Sequence, residues 1–246
     1  MLSKVLFLAA FTARSQAYAQ AMVAHSFRPE ACLLFGDESA GFPGQTERTN
    51  PQHAAIGDIT LPNLAIPLAK SCGELGSRIE RLRVTDVNSV EIRNQVKAFA
   101  PSLIIYSGYG KQIIKGSLLE LGVPILHVHS GWLPEFRGST TMYYSLLKER
   151  CCGASAILLD AGIDTGPIVA RKLYPAPPAG TDIDFLYDPA IRADLLIEAL
   201  AALGRGCPLT PQEPGGNAGQ TFYVIHPVLK HIALLSLPSA LQEKGA

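Results

Sequence analysis

Short apolar runs alternating with amphipathic stretches predict an α/β fold, a doubly wound and mostly parallel sheet with a short C-terminal appendage. Two observations carry the expectation. Residues 5–9, 31–35, 103–106 and 124–128 are compact apolar runs of strand length, and segments of helical character lie between them. The chain has 246 residues, 48% of them apolar and 17% charged, which suits one α/β domain with a full core plus a small addition.

Taken in order, the first strand (5–9) leads into a helix expected over 15–25 and a second strand at 31–35. Residues 37–62 are rich in Gly, Pro, Asn and Thr and read as a long surface loop near a site. A short strand at 79–84 precedes an amphipathic helix over 90–99, capped by Asn88 or Ser89 and ended before Pro101. The buried strand 103–106 follows, then a helix over 112–121, a strand at 124–128 and a helix over 140–148. Strands at 154–160 and 168–174 are neighbours, and 184–203 reads as the long last helix of the domain. The catalytic domain is thus expected over 1–204, with 205–246 a tail packing on it through 222–225 and a short helix after Pro227.

Composition narrows the function. Lys plus Arg number 21, equal to Asp plus Glu, with no basic stripe, so a nucleic-acid partner is not expected. The five cysteines include no C-x-x-C pair, which indicates neither a disulfide framework nor a thiolate zinc site. No run is long enough to span a bilayer, so no membrane is expected. Lys4, the following apolar residues and Ala17-Tyr18-Ala19 imitate a signal peptide, but Arg14 interrupts the segment; a cytoplasmic protein is the expectation. No G-x-G-x-x-G follows the first strand, against a dinucleotide cofactor.

Two segments concentrate chemistry. In His127-Val128-His129-Ser130-Gly131-Trp132-Leu133-Pro134-Glu135-Phe136-Arg137-Gly138, the imidazoles two apart on a strand project to one side at its carboxyl end, where ligands bind in open α/β sheets. Asp160-Ala161-Gly162-Ile163-Asp164-Thr165-Gly166-Pro167-Ile168 is a turn-rich loop between two strands. Read alone, the histidines are structural or the start of a zinc site of a metal-dependent hydrolase. Asp164 and Asp160 are turn formers on the same terms, and Trp132 is either a lid or core filler.

The first segment resembles the N-x-H-P-S-L-L-P-x-x-R-G signature of the folate-dependent formyltransferases, and the second resembles their D-x-G-x-D-T-G-P-I loop. About 35 residues separate them, as in that family, and Ser107-Gly108-Tyr109-Gly110 resembles its glycine-containing turn. The resemblance spans 84–200 and is closer to a compact single-domain branch than to the tRNA-specific enzymes. It implies a Rossmann-like formyltransferase fold and transfer of a formyl group from 10-formyltetrahydrofolate to an amine of a small acceptor, an amino sugar or similar. A formyltetrahydrofolate hydrolase is the other reading within the family.

In such a reaction the amine attacks the formyl carbon, an oxyanion develops and the nitrogen must lose a proton. The resemblance places His129 at the catalytic histidine and Asp164 at the aspartate that orients it. His127 stands where the family has asparagine, an oxyanion donor whose role becomes tautomer- or pH-dependent in imidazole. By position, Gly110, Lys111, Gln112, Ile113, Leu159, Asp160, Ala161 and Gly162 line the pterin pocket. Thr12, Arg14, Ser15, Gly108 and Tyr109 face the acceptor. The turn after the first strand lacks the glycines that would cradle a phosphate, which disfavours the purine-pathway acceptor. Arg137 is expected to position the loop rather than touch substrate.

Overall fold

Along β1 (Val5–Ala10) every residue is buried, yet neighbours go opposite ways: Val5, Phe7 and Ala9 join one apolar cluster, and Leu6, Leu8 and Ala10 join another. That is the two-residue period of a strand covered on both faces. The computed structural model describes residues 4–38, 55–212 and 219–239. The further strands are β2 (Ala31–Phe35), β3 (Ala55–Ile56), β4 (Ile59–Thr60), β5 (Arg78–Leu82), β6 (Leu103–Ser107), β7 (Ile125–His129), β8 (Phe136–Gly138), β9 (Cys151–Leu158), β10 (Ile168–Pro175) and β11 (Gln220–Phe222). Seven of them form the main sheet in the order β10-β9-β7-β6-β1-β2-β5. The chain runs outward from β1 to β2 and β5, then returns to β6 on the other side. That reversal leaves a crevice above the carboxyl ends of β1 and β6, the usual ligand position in such sheets.

Helices cover both faces. Residues of α1 (Ala13–Ala24), α2 (Leu68–Glu74), α5 (Thr141–Glu149) and α6 (Asp188–Gly204) belong to the first cluster, and those of α3 (Val90–Phe99) and α4 (Gly116–Leu119) to the second. Ser89 caps α3, its hydroxyl accepting from the Ile92 amide at 3.4 Å. Thr12 caps α1, which therefore starts two residues before the expected position. Among the described residues no helix is long and apolar enough to cross a membrane.

The structure departs from the sequence expectation in several places. Strand β9 runs antiparallel to both neighbours, so the sheet is mixed at one edge. The helix expected over 112–121 shrinks to α4. Lys111 takes a left-handed φ of 69°, and residues 112–115 stay outside the helix, with the Asn88 side chain bonding Ile113 O at 3.0 Å and the Lys115 amide at 2.8 Å. Most of the predicted 37–62 loop lies outside the described residues, and its remainder carries the β3–β4 hairpin, with Ile59 buried. The expected helix over 184–203 opens as a π turn, Ile183–Tyr187, before α6 begins with Pro189 in its first turn.

The tail does more than pack. Strand β11 pairs in parallel with β8, and α7 (Pro227–Leu235) follows. Phe222 is 6% exposed, stacked on Phe136 at 5.4 Å between ring centroids and tilted on Tyr144 at 4.5 Å. Phe222→Ala is expected to cost about 3 kcal/mol, since a large buried ring is lost with only partial collapse around it. A lower urea midpoint would register this, and an unchanged midpoint would detach the tail from the folded unit.

Candidate active site

On β7, Leu126 and Val128 enter the first cluster, while His127 and His129 follow Ile125 on the opposite face. His129 is 4% exposed, and its Nε2 lies 2.7 Å from the Phe136 carbonyl. A carbonyl only accepts, so Nε2 carries the proton of the neutral ring and Nδ1 keeps its lone pair. That lone pair faces Asp164 Oδ2 at 3.3 Å. A second proton therefore has one place to go, between Nδ1 and the carboxylate. Burial holds the His129 imidazole below its ordinary value, the Asp164 carboxylate pulls it back, and the Arg192 guanidinium adds to the depression. Gly131 makes room for this arrangement: a Cβ there would stand 2.5 Å from the Phe136 carbonyl oxygen and 2.7 Å from His129 Nε2.

Asp164 arrives by an indirect route. Because β9 is antiparallel, Leu158 ends it beside Leu126, and the Leu159 amide bonds Ile125 O at 2.8 Å. The connection must then fold back along β7 to bring Asp164 to His129. Asp164 turns there with a left-handed φ of 54°, and its Oδ2 accepts from the Gly138 amide at 2.9 Å. Gln212 donates to the carbonyls of Asp164 and Gly166 at 3.1 and 2.7 Å, and Arg137 donates to Gln212 at 3.0 Å. Arg137 thus holds this loop through Gln212.

His127 packs its ring against Tyr106 at 5.9 Å between centroids, and its buried Nδ1 has no hydrogen-bond partner among the described residues. Burial holds this imidazole well below its ordinary value, and Arg14, Arg192 and His129 push the same way. The ring is held neutral near pH 7, so which of its nitrogens donates is set by the tautomer. Arg192 donates to the Val128 carbonyl at 3.0 Å and pairs with Asp188 at 3.0 Å. Burial and the neighbouring Arg192 lower Arg14 from the usual guanidinium value.

These groups line a cavity of about 460 Å³. Of the predicted positions, Arg14, Tyr109, Gly110, Lys111, Gln112, Ile113, His127, His129 and Asp164 stand on its wall, while Thr12 and Gly108 line an adjoining depression with Arg14. Ser15 does not reach it: it is fully buried and its hydroxyl donates to Ser107. Leu159, Asp160, Ala161 and Gly162 are also off the wall. Leu159 packs into the core and Asp160 closes a turn by accepting from Gly162 N and Thr165 Oγ1, so Ile163 and Asp164 take that side instead. Trp132 is no lid, because Arg171 stacks on it at 4.2 Å over a separate depression. Sequence reasoning missed Arg192, Asp184, Tyr143 and residues 221–224 of the tail, all on the wall. The four-residue spacing of Asp188 and Arg192 was the one available signal. Among the described residues, no group of three His, Cys, Asp or Glu side chains is placed to hold a metal ion, so the zinc-site reading has no ligand set there.

The family model described as formyl transferase matches residues 57–189, over half of the chain. The chain belongs to the formyl transferase family. A methionyl-tRNA formyltransferase from Acidobacterium capsulatum is 34% identical over 128 residues, covering 51% of this chain and 41% of that protein. This formyl transferase chain therefore spans less than half of that relative's length. In fold it is similar to phosphoribosylglycinamide formyltransferase from Streptococcus pneumoniae, with a TM-score of 0.55, 18% identity, and 83% and 99% of the two chains covered. It is similar as well to HypX from Aquifex aeolicus in complex with tetrahydrofolic acid, with a TM-score of 0.55, 16% identity, and 92% and 30% covered.

Proposed function

We propose that this formyl transferase domain moves a formyl group from 10-formyltetrahydrofolate to the amine of a small acceptor, an amino sugar or a similar molecule. The observation that carries the reading is the 3.3 Å approach of His129 Nδ1 to Asp164 on the wall of the cavity. The cavity suits the folate head group. Ile113 and Ile163, 51% and 49% exposed, line it as apolar surface for a flat ring system, and His127 offers a neutral imidazole without a protein partner for Nδ1. The folate supplies the formyl group; the chain supplies the rest. His129 takes the proton of the attacking amine at Nδ1, where the Asp164 carboxylate stabilises the resulting imidazolium, and returns it to the folate nitrogen as the bond between that nitrogen and the formyl carbon breaks, releasing tetrahydrofolate. His127, in the tautomer that carries its proton on Nδ1, provides an N–H toward the oxygen on which negative charge develops. The Gly138 amide and the Arg137–Gln212 pair keep the carboxylate in place.

The test uses purified protein and 10-formyltetrahydrofolate with a panel of amines, read by mass spectrometry for a gain of one formyl group. Tetrahydrofolate alone should raise the melting temperature, because a ligand of the folded state stabilises it by mass action. No shift well above micromolar concentrations, together with no formylated product, would overturn the proposal.

A further inference from the structure

Ion pairing around the cavity leaves one half-buried cation without a carboxylate partner among the described residues. Asp188 pairs with Arg192, Asp184 with Lys230 at 2.5 Å and the Tyr143 hydroxyl at 2.7 Å, and the Asp164 carboxylate faces the neutral His129 ring. Lys111 is exposed and solvated. Arg14 stands apart: it lines both the cavity and the adjoining depression, and among the described residues no carboxylate lies within salt-bridge distance of it. Its Nε donates to Ser107 Oγ at 3.2 Å and one Nη2 hydrogen to the Gly108 carbonyl. A guanidinium has five N–H groups, so three remain without an acceptor among the described residues. Removing such a cation from water without a counter-charge is costly, and an anionic ligand offsets that cost.

We infer that the acceptor carries a carboxylate in addition to its amine, and that Arg14 binds it; this rests on the formyl-transfer reading above. A carboxylate fits better than a phosphate. Of the amides in the first turn of α1, those of Ser15 and Gln16 are already used, donating to Thr12 Oγ1 and Thr12 O, both at 3.1 Å. No glycine opens the turn from Ala10 to Ala13 to bring backbone close to a phosphate. What is left is one planar guanidinium edge with a single charge, which matches a singly charged, planar carboxylate. Arg14, His127 and His129 line the same cavity, so a carboxylate on Arg14 holds the amine of a small acceptor beside the two imidazoles.

The experiment compares matched acceptors on the unmodified protein: amino acids and amino-sugar acids against the same molecules as primary amides, with neutral and phosphorylated amino sugars alongside. The donor is 10-formyltetrahydrofolate, and tetrahydrofolate binding is followed separately by melting temperature. Formylation favouring the carboxylate members by tenfold or more in kcat/KM supports the inference. So does a rise of at least tenfold in their KM in Arg14→Gln, with tetrahydrofolate binding unchanged and Arg14→Lys intermediate. Preference for amides, neutral sugars or phosphorylated sugars overturns it, as does an unchanged KM in Arg14→Gln. Weakened tetrahydrofolate binding in Arg14→Gln would assign the cation to the donor's own carboxylates and also overturn it. Tetrahydrofolate binding without transfer to any carboxylate-bearing amine sinks this inference alone; loss of both binding and transfer sinks the functional proposal with it.

Discussion

Replacing His129 by alanine is expected to lower kcat/KM for formyl transfer by about a thousandfold, within the usual range for losing a positioned proton-transfer group. Asp164→Asn should be nearly as damaging while leaving the fold intact. The asparagine oxygen keeps the bond from the Gly138 amide, but the negative charge that stabilises a proton on Nδ1, 3.3 Å away in the parent, is gone. The pH profile provides a second readout. Burial keeps His129 below the ordinary imidazole value of about 6.5, so the acid limb of kcat/KM should fall below that pH. Activity is retained above the limb and lost as the ring protonates. A His129→Ala enzyme within tenfold of the parent, or an acid limb well above 7, would remove His129 from its assigned role.

The second large effect concerns His127. If its task is one N–H toward the developing oxyanion, asparagine can take over, and His127→Asn should stay within about tenfold of the parent, or ~1.4 kcal/mol. His127→Ala deletes the donor and should cost about a hundredfold. Because the ring is neutral near pH 7, His127→Asn should leave the acid limb of the rate profile where it was. Stability should respond instead. An imidazole whose folded value is depressed destabilises the fold as pH drops below the unfolded value of about 6.5, where the unfolded chain takes up the proton first. The Asn variant should lose part of that dependence in thermal melts between pH 7 and 5. Equal inactivity of the Asn and Ala variants would refute the donor exchange.

Much of the sheet was legible in the sequence because its strands are buried on both faces and read as unbroken apolar runs, as at Leu103–Ser107. Direction was not legible. Cys151–Leu158 is as buried as a parallel strand, and nothing in its composition marks it as antiparallel. The short helix at 116–119 was overread because Asn88, 25 and 27 residues distant from its partners, ties the preceding segment outside the helix. At the site, His129 and Asp164 stood out through motif and spacing. The Phe136 carbonyl that assigns the tautomer and the Arg192 guanidinium that lowers both imidazoles did not, since their roles exist only after the chain has folded. Ser15 was misread for the same reason: a polar residue in the right turn was consumed by Ser107.

The pairing of β8 with β11 has a consequence for the order in which the protein becomes competent. Gly138, whose amide holds Asp164, has a φ of 97°, and a side chain there would run into the Phe222 carbonyl. Ser139 donates to that same carbonyl at 2.8 Å, so the backbone beside the Asp164 carboxylate is braced by residues made more than eighty positions later. During synthesis, β1 to β7 can form while the ribosome is still extending the chain, but the wall of the cavity at 221–224 cannot. A nascent chain halted in α6 would hold the central strands and both histidines yet lack the brace on Asp164. On the proposed function, formyl transfer is expected to appear late and abruptly along the length of the chain, and a ladder of stalled nascent chains should gain it only after Val224 has cleared the exit tunnel.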